Sequence, residues 1–430
     1  MNATERTIYG ILGQAFLLLL LYGAAAFFTA VKFLPADPLA LGVPYKHVAA
    51  FSDVLLQLAV INGLLAGGVY AVTYNTSLQL TLVSPQKAAL LWAYRALTTL
   101  NILAVLASFL GIFEGRYLLS LPPLLDVLLI ITLILFFIAM LTEGGMEAFK
   151  LVWLTGLVSL TVGVALGILP AIDYQQDRVL RSLSLGLQVN IGYTLMALVL
   201  LFWLLAREAD LQNMAVSALY TAATFMVISG ALLTIAPLYT FGASTALSTI
   251  AFLFVPLSIL VFIGRVFRVL LDDSYLKVTA PIRWCILVVG LYSIGWGILG
   301  ALSLLPGVRQ WTVGTWLDSL QYQLTVFAAV AAVLGMGAYI SAKRTIKVIQ
   351  TRGWFSFWMV ALGLLGWALS LGGAGLVQTY SERILSIGYL DVQKLLVPLY
   401  IGWIIALLML MVGVMWYVWR FRSEHSLESS

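Results

Sequence analysis

Twelve apolar runs, each long enough to cross a bilayer, constrain this chain more than any other feature. They lie near residues 8–31, 51–75, 87–113, 122–141, 148–170, 184–205, 214–236, 245–270, 280–305, 312–341, 354–379 and 394–420. A membrane helix needs about 20 predominantly apolar residues. Lipid offers backbone N–H and C=O groups no partner, so each run must satisfy them internally. The runs are continuous and do not alternate, which predicts helices and argues against a barrel. The predicted fold class is an all-α integral membrane protein, a bundle of about twelve transmembrane helices. Connections such as "KFLPADPLALGVPYKH", "DYQQDRVLRS" and "AKRTIKVIQTRG" are too short to form a soluble domain. The organisation expected is therefore one transmembrane domain over 1–420 and a polar tail over 421–430.

Charge content agrees with this class: 10% of the 430 residues are charged and 62% are hydrophobic, whereas soluble domains carry roughly a quarter charged residues. The first run, Ile11 to Ala30, shows no small-residue cleavage site after it, and is read as a retained helix instead of a signal peptide. Both termini and the connections after even-numbered helices hold fourteen Lys and Arg residues, against eight in the connections after odd-numbered helices. By the positive-inside rule both termini are expected in the cytoplasm and the chain in the inner (cytoplasmic) membrane. The net charge of +5 mostly records that bias and gives no reason to invoke nucleic acid.

Cysteine and histidine counts limit the chemistry. One cysteine, Cys285, excludes an internal disulfide and a cysteine-ligated cluster. Of the two histidines, His425 lies in the tail and His47 in the loop expected before helix two. One usable histidine cannot supply two-histidine haem ligation or a histidine-built copper site.

Several stretches, in order, resemble subunit I of the heme-copper oxidase superfamily, closest to its C-family (cbb-type) branch. They are "GVPY" at Gly42–Tyr45, "LGIFEGRY" at Leu110–Tyr117, "WTVG" at Trp311–Gly314, "FWMVALGLLGWALSLGGAGLVQ" at Phe357–Gln378 and "PLYIGWIIALLMLMVGVMWYVWR" at Pro398–Arg420. The resemblance spans nearly the whole chain and implies an oxidase subunit I-like bundle.

The departures matter more than the matches. In that family helix ten begins W-T-[IV]-G-H-x-H, and the histidines hold haem iron; here Thr315 and Leu317 stand in those places. The resemblance puts the helix-two haem ligand within Asp53 to Leu55, the helix-six copper ligand near Gln188 and the helix-seven histidine pair near Ala231 and Leu232. It puts the helix-seven tyrosine near Phe225. None of these positions holds a histidine. Leu and Ala offer iron no lone pair, and Phe225 has no hydroxyl, so oxygen reduction at the ancestral site is not expected. No cofactor is expected in this chain, and haem only through non-standard ligands or ligands from a partner.

The remaining polar groups each have two readings. Asp53, Gln188, Asn190, Thr315 and Asp318 are expected toward the outer half of the former haem region. For Asp53 and Asp318, proximity to a helix N-terminus explains a carboxylate without a site. Gln188 and Asn190 serve either as interhelical hydrogen bonds or as the lining of a polar cavity where copper once sat. Arg95, two turns beyond Lys87, either snorkels toward the surface or meets a carboxylate or lipid phosphate. Trp296, Trp316 and Phe327 are expected to fill a vacated pocket, because large voids destabilise a core.

The leading expectation is a non-catalytic, oxidase subunit I-like scaffold of a respiratory or electron-transfer membrane complex, with no enzymatic activity of its own. Its partners would be the lipid bilayer, other membrane subunits and a cytochrome or haem-bearing subunit. One alternative is an electron-transfer subunit holding one haem by a Met, Tyr or Lys, or by a partner's ligand. The other is a transporter or channel, for which Pro237 and Pro256 are candidate helix breaks although no pair of internal repeats is evident.

Overall fold

In the computed structural model the described residues are 3–34, 44–73, 84–112, 121–141, 147–170, 172–208, 212–239, 245–271, 279–344 and 354–426. Gly42 and Val43 of "GVPY", most of "LGIFEGRY", and the side chain of His425 lie outside them. Twelve helices among the described residues are long and apolar enough to span a membrane. They are α1 (Thr4–Val31), α2 (Tyr45–Thr73), α3 (Pro85–Phe109), α4 (Pro123–Met140), α5 (Ala148–Ile168), α6 (Tyr174–Glu208), α7 (Gln212–Ala236), α8 (Ala246–Leu271), α9 (Ala280–Leu304), α10 (Trp316–Ser341), α11 (Trp354–Ile384) and α12 (Tyr389–Phe421). No strand occurs among the described residues. The chain is an all-α, twelve-span membrane protein.

Three helices form the centre. α6 and α10 are enclosed by protein over 94% of their most apolar windows and α2 over 72%, against 33% for α3, α8 and α12. α2, α6 and α10 touch one another, and α1, α3, α4, α5, α7, α8, α9, α11 and α12 follow each other around them, α12 returning to α1. Every fourth helix is thus central. Small residues let the centre close up: Gly63 of α2 lies against Val333 of α10, and Gly67 against Leu200 of α6. The ring helices turn leucine and isoleucine outward, as Leu253 and Leu260 of α8 do at 65% exposure each, which suits a hydrocarbon solvent.

Several helix ends differ from the sequence expectation. α6 starts at Tyr174, ten residues before 184, because the polar stretch read as a connection is itself helical. Asp173 caps it, its carboxylate accepting from the Gln176 N–H at 2.7 Å, and Asp177 and Arg181 pair one turn apart. α2 starts at Tyr45, which places His47 in its first turn and not in a loop. The His47 ring is half-buried, with Nε2 3.0 Å from the carbonyl of Phe109 at the end of α3. α12 continues as helix to Ser426, through most of the stretch read as a tail.

The "WTVG" stretch ends a short helix, Pro306–Thr312, and Gly314 adopts φ +77°, a left-handed conformation glycine adopts without strain. The chain can then turn into α10, which begins at Trp316 instead of 312. Pro256 sits inside α8 without interrupting it. Pro237 lies in the last turn of the α7 helix, which continues past the apolar span to Tyr239, so it does not break the helix; its side chain is outside the described set.

Candidate functional site

Three stretches of these spans wind as π-helix: Gly186–Tyr193 in α6, Ser293–Gly300 in α9 and Thr379–Ile384 in α11. Such widened turns release the regular i→i−4 ladder and are frequent at functional sites. The first two face the middle of the bundle and define the candidate site, since Gln188 and Asn190 lie in the first and Trp296 in the second.

Asn190 donates from Nδ2 to Thr234 Oγ1 of α7 at 3.2 Å, and Thr234 donates to the Gly230 carbonyl at 2.7 Å. Gln188 turns to the other side, donating from Nε2 to Ser184 Oγ at 2.9 Å, while Ser184 donates to the Gly163 carbonyl of α5 at 2.7 Å. Asn190 thus bonds directly to another helix and Gln188 only through Ser184 of its own, and Gln188 Oε1 and Asn190 Oδ1 are buried without a donor. Trp296 is fully buried, donates to Thr325 Oγ1 of α10 at 2.9 Å and lies against Gly230. Tyr193 of α6 donates to Gln57 Oε1 of α2 at 2.8 Å. The Asn190–Thr234, Ser184–Gly163, Trp296–Thr325 and Tyr193–Gln57 bonds each tie a central helix to another helix.

The positions singled out in the sequence do not assemble into one polar site. No side-chain hydrogen bond or ion pair among the described residues joins any two of Asp53, Gln188, Asn190, Thr315 and Asp318; the one link is the Asp318 N–H donating to the Thr315 carbonyl at 3.1 Å, part of the turn into α10. Thr315 is buried and spends its hydroxyl on the Thr312 carbonyl at 2.7 Å. Asp318 sits in the first turn of α10, its carboxylate 3.4 Å from the Gly314 N–H, as a helix-start carboxylate does. Arg309, just outside α10, is its electrostatic neighbour; burial lowers the Arg309 pKa and Asp318 opposes that shift.

Asp53 departs from the helix-start reading. With α2 beginning at Tyr45 it lies eight residues in, beyond the free N–H groups of the first turn. It is exposed, makes no hydrogen bond or ion pair among the described residues, and acts electrostatically on Tyr22 and Tyr45. Tyr45 joins Phe33, Trp316, Tyr400 and Trp403 in an aromatic cluster with Phe33 at its centre. Phe33 has ring centroids 4.7 to 5.7 Å from the other four.

The remaining positions are occupied by packing. Leu317 lies against Gly375 of α11. Leu232 packs on the core and Ala231 is half-buried. Phe225 stacks on Phe254 of α8 at 5.6 Å with rings 4° from parallel. Phe327 is buried against Trp367, and Trp316 is half-buried in the aromatic cluster. Arg95 is exposed on the outside of α3, its guanidinium 5.2 Å from the Trp92 ring centre.

One polar network had no signal in the sequence. Asn101 of α3 donates from Nδ2 to Asn62 Oδ1 of α2 and to Gln14 Oε1 of α1, both at 2.9 Å. Asn62 returns a bond to Asn101 Oδ1 at 3.1 Å, and Gln14 donates to Thr98 Oγ1 at 2.7 Å. Comparison of the sequence with family models and with curated proteins finds no match to either.

Proposed function

We propose that this protein is a non-catalytic membrane scaffold built on the plan of oxidase subunit I, serving within a larger respiratory or electron-transfer complex. One observation carries the reading. The positions where the resemblance puts metal ligands fall on α2, α6, α7 and α10, three of which are the central helices, and most are committed to packing or local bonding. Leu317, Leu232 and Ala231 offer no lone pair, and the Thr315 hydroxyl is engaged. Gln188 keeps one unpaired oxygen and Asp53 a free carboxylate, but neither is an imidazole, and these residues do not fit a haem iron or a histidine-bound copper. The Lys and Arg distribution supports a cytoplasmic membrane with both termini inside.

Gentle solubilisation and native mass measurement test the scaffold. The chain is expected in an assembly with other membrane subunits, and migration alone at 46.9 kDa would overturn the reading. A visible spectrum of the isolated chain is expected to show no Soret band. A stoichiometric haem signal would favour electron transfer instead.

A further inference from the structure

Arg283 is the fourth residue of α9, at the very end of that span. Only 4% of it is exposed, and its Nε, Nη1 and Nη2 atoms are all buried without a hydrogen-bond acceptor. The guanidinium carbon lies 4.5 Å from the centre of the Trp354 ring and 5.9 Å from that of Phe357. Both rings belong to the first turn of α11, the end at which a helix dipole presents partial positive charge. No carboxylate pairs with Arg283 among the described residues. Stacking on aromatic faces is worth about 0.5–2 kcal/mol and leaves five N–H donors unanswered. What the arrangement lacks among the described residues is an anion with several acceptor oxygens.

The surroundings identify its source. Trp354, Phe355 and Trp358 are 47%, 48% and 47% exposed at this same end of α11, an aromatic belt of the kind found at headgroup depth. We propose that Arg283, with the first turn of α11, binds the phosphate of an anionic phospholipid. A guanidinium matches a phosphodiester through paired N–H···O bonds. Binding requires the half-exposed Trp354 ring to swing aside, since the nitrogens are enclosed as the helices stand. The chemistry is shared with free phosphate, and only the depth and the aromatic belt favour the lipid.

The test uses the full chain, delipidated in neutral detergent, with phosphatidylglycerol, phosphatidylcholine or inorganic phosphate added at equal phosphorus. Phosphatidylglycerol is expected to raise the melting temperature by several degrees, and the other two to leave it unchanged. Arg283→Gln should abolish that shift and lose anionic phospholipid retained by the wild type on mass spectrometry. Arg95→Gln, at an exposed arginine, should keep both. If Arg283→Gln does not fold, Arg283→Lys serves, with affinity for phosphatidylglycerol falling roughly tenfold as paired bonding is lost. A wild-type response from either Arg283 variant overturns the proposal, and so does a shift reproduced by inorganic phosphate alone.

Discussion

Leu317 and Gly375 meet backbone to backbone. A β-carbon on Gly375 would fall 2.6 Å from both the amide nitrogen and the Cγ of Leu317. The contact pins the start of α10 to α11 at the place where the resemblance puts a haem ligand. Because the obstruction includes main chain, a side-chain rotation cannot relieve it. Gly375→Ala should therefore destabilise the protein by about 1–3 kcal/mol, the range for overpacking. Leu317→Ala in the same chain should recover only part of the loss. Thermal unfolding in detergent checks both, and a Gly375→Ala protein melting with the wild type would show that the helices are not this close.

The Gln14–Asn101–Asn62 chain joins α1, α3 and α2 with every amide nitrogen engaged. Interhelical hydrogen bonds of this kind average about 0.6 kcal/mol and reach about 1.7 kcal/mol in membrane proteins. A double-mutant cycle over Gln14→Leu and Asn101→Leu should give a coupling energy within that range. Additive single effects would mean that the two side chains do not bond.

Arg95 and Arg283 make a contrasting pair of stacked arginines, one exposed beside Trp92 and one enclosed beside Trp354. An exposed substitution away from buried partners usually shifts stability by no more than about 0.5 kcal/mol. Arg95→Gln should fall within that limit in a melting experiment. A loss of several degrees would reveal a buried role for this side chain.

Spans were legible in the sequence because apolar length is a one-dimensional property, but their ends were not. α6 gains its first ten residues from "YQQDRVLRSL", whose polarity reads as a connection; the Asp173 cap that starts it is the one local sequence signal for a helix there. The partners of Asn62 and Asn101 were invisible for a different reason. Each is a single amide in an apolar run, and their meeting depends on the rotation of α2 against α3. The π-helical stretches around Asn190 and Trp296 have no sequence signature of their own, so neither residue's facing could be read from a 3.6-residue period. Arg283 counted only as one more positive charge until α11 placed aromatic rings over it.

Trp296 gives the last prediction. Its indole is wholly buried between Gly230 of α7 and Thr325 of α10, where it donates a single hydrogen bond. If this side chain fills space at the centre of the bundle, its removal leaves a cavity that the neighbouring helices cannot close. Trp296→Ala should cost about 3–5 kcal/mol, the range for large-to-small changes of a buried aromatic. Trp296→Phe should cost less, because most of the volume remains and Thr325 can still donate to the Gln321 carbonyl. Apolar cavities made in this way stay dry and accept small aromatic ligands. Indole should therefore raise the melting temperature of Trp296→Ala while leaving the wild type unchanged. A Trp296→Ala protein that melts with the wild type, or that ignores indole, would mean that the bundle collapses into the space and that Trp296 is not its filler.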